Sequence, residues 1–215
     1  AAAGRLYVEL ERTDLGGWQP WFDYPLPLAG QGGVRAWVDA DGEGGSELTA
    51  DVALDGVKTQ FEQALPVLDV TRLDGRLSMT RGARGSTFGA RGLTLTLADG
   101  LTVSPTDFDL RLDEGGEGAP AGGAVSANRL DFAALAALAA YLPFDAGVRA
   151  RLARFEPSGK VEDLRLAWRG EPGAASHWSL AARFEGVGLL ASEGWPGLGG
   201  LAGNIDGDQD GGRFR

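Results

Sequence analysis

Roughly ten stretches of this chain alternate apolar and polar residues at a period of two, separated by turns rich in glycine and aspartate. Alternation of this kind puts every second side chain on one face of an extended strand, so each stretch demands one buried and one wetted face. Leu6, Val8 and Leu10 open the series, with Tyr7, Glu9 and Glu11 opposite. Val34, Ala36 and Val38 follow, then Leu48, Ala50, Val52 and Leu54. Leu73, Leu77 and Met79 share a face with Gly75 between them, and Leu93, Leu95 and Leu97 stand against Thr94 and Thr96. Phe108, Leu110 and Leu112 alternate with acids and Arg111, and Ala124 to Leu130 makes a further short strand. Leu164, Leu166 and Trp168 continue the pattern, as do Trp178, Leu180, Ala182 and Phe184, and a last strand opens at Leu201 to Ile205. The spacing predicts an all-β body, either a closed sandwich or barrel or an open, strongly curved sheet of repeated meanders.

One long stretch breaks the rule. Between Asn128 and Phe155, Leu130, Ala134, Leu135, Leu138 and Tyr141/Leu142 recur at the three-to-four-residue period of a helical face. Asn128 or Asp131 can cap the first turn, and Pro143 ends the run. A second helix, near Asp145 to Phe155, turns Val148, Leu152 and Phe155 inward and Arg149, Arg151 and Arg154 outward. The resulting hairpin either covers part of one sheet face or caps a sheet edge. The expected organisation is a β segment over 1–122, the helical hairpin over 123–156, and a second β segment over 157–215 that continues beyond it.

Composition removes several function classes. The net charge of -10 argues against a nucleic-acid backbone as partner. With no cysteine there is no disulfide, thiolate chemistry or Cys-ligated zinc, which fits a reducing cytosol or a bacterial envelope compartment. A single histidine, His177, rules out a histidine-based metal cluster. Asp206, Asp208 and Asp210, followed by Gly211, have the spacing of a calcium loop's first ligands, but aspartate and glycine are also the natural residues of a hairpin turn. No nucleophile elbow, P-loop or dinucleotide fingerprint stands in a strand-to-helix context. No cofactor and no catalytic group are expected, although two acids brought together in three dimensions, as in a glycosidase, would leave no spacing signature.

Two further features stand out. WQPWFDYPLPL, from Trp18 to Leu28, is either an exposed aromatic patch or a loop tucking Trp18, Trp21 and Phe22 under a sheet edge. An internal echo aligns Val70, Leu73, Gly75 and Leu77 with Leu198, Leu201, Gly203 and Ile205, which suggests one β unit used twice.

Four pieces in order, VRAWVDADGEGGSELTADVAL, ALPVLDVTRLDGRLSMTR, NRLDFAALAALAAYLP and the closing run through EGWPGLGGLAGNIDGDQDGGRF, resemble the YhdP group of AsmA-like proteins of Gram-negative envelopes. The resemblance runs from about Val34 to Phe214 and rests on apolar residues, glycines and tryptophans. It implies a long antiparallel sheet curved into an open groove, with the parent anchored in the inner membrane and crossing the periplasm. It also implies phospholipid acyl chains sliding along the groove between inner and outer membranes, which other parts of the parent would engage. On that reading the chain is a middle piece of a longer protein, and the alternating leucines and aromatics line the groove. The competing reading is a closed β-sandwich scaffold in which the same side chains interlock.

Overall fold

The structure, a computed structural model, describes residues 3–18, 27–42, 44–116, 120–170, 176–192, 194 and 196–215. Its strands are β1 (Ala3–Asp14), β2 (Leu28–Asp41), β3 (Ser46–Thr59), β4 (Leu68–Gly82), β5 (Gly85–Leu97) and β6 (Thr102–Asp113). They continue as β7 (Gly122–Asp131), β8 (Ser158–Arg169), β9 (His177–Leu189), β10 (Leu198–Asp208) and β11 (Gly211–Phe214). All eleven lie in one sheet in the order of the chain, each antiparallel to the next. The sheet does not close into a barrel, and the described residues form no second sheet. The sandwich alternative is therefore corrected: among the described residues no opposing sheet interlocks with the leucine rows.

The two helices are an insertion in one hairpin. α1 (Phe132–Ala139) and α2 (Ala146–Phe155) lie between β7 and β8, which pair with each other down to Asp131↔Lys160. The Asp131 carboxylate accepts from the Ala134 amide at 3.0 Å and so caps α1. Asn128 instead spends its side chain on the Asp107 amide of the neighbouring strand. Asp145 caps α2 through the Gly147 and Val148 amides. Because β7 runs through Asp131, the helical insert starts at Phe132 and not near residue 123, and the β segments on either side of it are one continuous sheet.

Several strands are longer than the alternation suggests, and β-bulges explain why. Gly56 in β3, Gly92 in β5 and Gly186 in β9 have φ of 62°, 58° and 63°, and Asp163 in β8 has φ of 53°. Strand registers slip beside these residues, between Ala29 and Gln31, Ala90 and Leu93, and Glu162 and Arg165. A bulge adds an unpaired residue, so the inward–outward alternation flips there while the strand continues. The alternating rows that stop at Leu54 and Phe184, and the one that starts at Leu93, all break beside these points. Bulges also sharpen the local twist and bend the strand, which curves the sheet.

Burial is concentrated at one end. Val34, Leu54, Val57, Leu68, Val70 and Leu97 form a buried cluster, with Leu15, Leu138 and Tyr141 packed against it. That end carries the helices, the turn at Leu15–Trp18 and the 60–67 connection. The β2–β3, β4–β5, β6–β7, β8–β9 and β10–β11 connections lie at the other. The chain exposes 13648 Å², whereas a compact protein of its mass exposes about 9,400 Å². This difference is what a single layer without a facing partner produces.

Candidate functional site

In an antiparallel pair, residues directly opposite each other share a face, so the registers sort every strand residue to one side of the sheet. One row runs Leu6, Val38, Leu48, Met79, Phe88, Leu110, Val125, Leu166 and Leu180, one residue from each of β1 to β9. The next row towards the helices is Val8, Ala36, Ala50, Leu77, Ala90, Phe108, Ala127 and Leu164. Leu10, Val34 and Val52 follow, then Leu54, Leu73 and Leu95, with Leu93 two places before Leu95. Leu97 pairs with Val70, Phe184 with Val161, and Leu112 with Gly123 beside Trp168. Every leucine, valine and aromatic expected from the alternation to share a face does so.

The face is dry at one end and open at the other. Leu97 is 3% exposed under the helical end, whereas Leu6 is 57% and Trp178 40% exposed towards the hairpin turns. Aromatic rings fill places where a strand lacks a side chain. Trp168 covers Gly123 so closely that a Cβ there would collide with the indole, and Phe184 lies over Gly203 and 5.3 Å from Phe214.

The opposite face is a lattice of ion pairs. Glu9, Arg35, Asp51 and Arg76 face one another across four strands with alternating sign. Arg76 Nε and Nη2 donate to the Asp51 carboxylate at 2.6 and 2.9 Å, and Arg91 holds Asp109 at 2.8 Å. Arg129, Glu162, Arg183 and Asp163 make a second cluster beside the bulge in β8. Hydrogen bonds from Arg76 hold the Asp51 carboxyl below the usual carboxylate range. The Tyr7 hydroxyl, and then Arg35, do the same for Glu9. Trp37 packs between Tyr7, at 5.4 Å, and the Arg76 guanidinium, at 5.9 Å.

One charged side chain breaks the segregation. Arg81, two residues beyond Met79, is the one charged residue that the described strand registers put on the apolar face. It sits in the last row before the hairpin turns, opposite Ser46 on one side and Ser86 on the other. It is exposed, and its guanidinium makes no hydrogen bond or ion pair among the described residues. Sequence reasoning missed it by stopping the row at Met79; carrying the Leu77, Met79 alternation one step further finds it.

The remaining candidates resolve simply. Asp208 Oδ1 accepts from the Asp210 and Gly211 amides at 2.9 and 3.2 Å, closing the β10–β11 turn. Among the described residues no three acidic or histidine side chains converge on a metal position. His177 Nδ1 lies 3.1 Å from the Ser176 hydroxyl on an exposed strand end. Trp18 is half-buried and donates its indole N–H to Thr13, while Trp21 and Phe22 lie outside the described residues.

A single antiparallel layer with one apolar and one ion-paired face, the apolar side covered by the described residues at one end alone, defines an open β-groove protein. A family model described as YhdP protein matches residues 1–215, and the chain belongs to that family. Neither the curated proteins nor the solved structures gave a match.

Proposed function

We propose that this chain is a section of a lipid conduit in the bacterial periplasm, carrying phospholipid acyl chains along its apolar face. The observation that carries the reading is the unbroken lateral run of apolar side chains from β1 to β9, with no layer of the described residues over its hairpin half. Transfer from water stabilises each methylene by about 0.8 kcal/mol, so an acyl chain leaving a bilayer needs a continuous apolar path. Strands spaced about 4.8 Å apart make that path roughly 38 Å long from β1 to β9. Leucine, valine, alanine and phenylalanine supply affinity without directional bonds, so a chain can slide. The reading calls for no catalytic group and no cofactor. Contact with the inner and outer membranes falls to parts of the parent outside these residues.

The test is to purify the chain from a Gram-negative host and identify co-purifying phospholipid by mass spectrometry. Photo-crosslinking residues at Leu110 and Leu166, in the open part of the face, should capture lipid, and one at Leu97 should not. Leu95 packs against the buried cluster and reports on the covered end. Folded protein that captures nothing at Leu110 or Leu166 removes the proposal.

A further inference from the structure

We infer that Arg81, between Ser46 and Ser86, is a docking point for the phosphate of a glycerophospholipid whose chains extend down the apolar face towards α1. This rests on the conduit reading and adds to it an orientation and a head-group contact. The face has two unlike ends. Near the helices, Leu54, Val70, Leu97 and Val161 are buried, and Leu138 and Tyr141 close over the cluster. Near the hairpin turns the face is open to water, and it is there that its single charge appears.

An amphiphile fits such a gradient in one sense only. Its tail gains most at the dry end, and its ionised head must stay hydrated. A guanidinium pairs with phosphate through parallel N–H donors, and two serine hydroxyls in register on either side add further donors. On the other face several arginines are held by carboxylates, as Arg76 is by Asp51 and Arg91 by Asp109. Among the described residues Arg81 has no such partner, and the registers place its charge at the end of the apolar rows, where it contributes nothing to their packing. The next row inward is Leu48, Met79 and Phe88, which starts the apolar path immediately below the proposed phosphate.

The experiment compares binding of fluorescent phosphatidylglycerol and of diacylglycerol with the same acyl chains to the unsubstituted protein, Arg81→Glu and Arg81→Lys. Circular dichroism and the unfolding midpoint check the fold, which should not change because the side chain is exposed and unpaired. Phosphatidylglycerol should bind about tenfold more weakly to Arg81→Glu, the scale of one charge-assisted contact, and Arg81→Lys should recover part of the loss. Diacylglycerol should bind all three alike. Equal loss of both lipids, or no loss of either, overturns the assignment while leaving the conduit reading intact. Displacement of the bound phospholipid by millimolar inorganic phosphate alone would mark a bare anion site and also overturn it. Failure of the unsubstituted protein to bind either lipid removes the conduit reading and this inference together.

Discussion

At the scale of single residues, glycine and aspartate decide where this sheet bends and how its polar face holds. Gly75 has φ of 149°, and a Cβ there would lie 2.9 Å from the Leu93 Cα. Gly203, its counterpart in the sequence echo, has φ of 159°, and a Cβ would run into the Arg215 carbonyl. The echo therefore marks two places where neighbouring backbone comes too close for a side chain. Gly92 differs: φ is 58°, but a Cβ there would meet nothing within 4 Å. Gly75→Ala should cost about 2–3 kcal/mol, combining backbone strain with a clash, and Gly92→Ala about 1–2 kcal/mol from the left-handed backbone alone. Urea unfolding of the two variants side by side tests the order. On the polar face, Asp51 titrates below its ordinary value because Arg76 donates to it. A depressed carboxylate stabilises fully above the unfolded value of about 3.9, and that contribution is lost as pH falls through the lower folded value. Stability measured from pH 6 to pH 2 should thus decline less steeply in Asp51→Asn than in the unsubstituted protein. An identical slope in both would mean that the Asp51–Arg76 pair contributes nothing.

At the scale of elements, the helical hairpin closes one end of the apolar face, so the two readings left open by its sequence merge. It is inserted at a strand end, yet Leu138 and Tyr141 pack on the buried cluster. Leu138→Ala should lower stability by about 2 kcal/mol and raise hydrogen exchange at Val70 and Leu97, leaving β9 to β11 unchanged. Asp131→Ala, which removes the α1 cap, should cost about 1 kcal/mol. Much of this architecture is legible in the sequence. Period-two rows such as Leu93, Leu95 and Leu97 or Phe108, Leu110 and Leu112 name their own face, and Ala134, Leu135 and Leu138 name their helix, although Leu130, expected on the same helical face, belongs to β7 and Tyr141 and Leu142 lie beyond the helix. Strand lengths are not legible there, because bulges at Gly56, Gly92, Asp163 and Gly186 reset the alternation without ending the strand. Nor is the choice between sandwich and open sheet. Both require the same leucines on one side, and only what lies across from them separates the two, which no local pattern encodes.

At the scale of the whole molecule, the uncovered layer makes ligand and stability one question. A closed core excludes amphiphiles; on the proposed conduit reading the open apolar face takes them up in the folded state and loses them on unfolding, so lipid should raise the melting temperature. At one hundred times the dissociation constant the gain is about 2.7 kcal/mol, or about 5–10 °C for a chain of this size. Leu110 and Leu166 sit in the same row, half-exposed, with no second layer among the described residues facing them. Aspartate at both positions should leave the unliganded protein folded, with its melting temperature within a few degrees of the original. The lipid-dependent rise should then vanish, because the apolar path is cut across its middle strands. The same pair of aspartates in an interlocked core would unfold the protein outright, since each would bury an unpaired charge. Thermal melts of the double variant with and without short-chain phosphatidylglycerol separate the outcomes: a folded variant indifferent to lipid supports the open groove, and collapse without lipid refutes it.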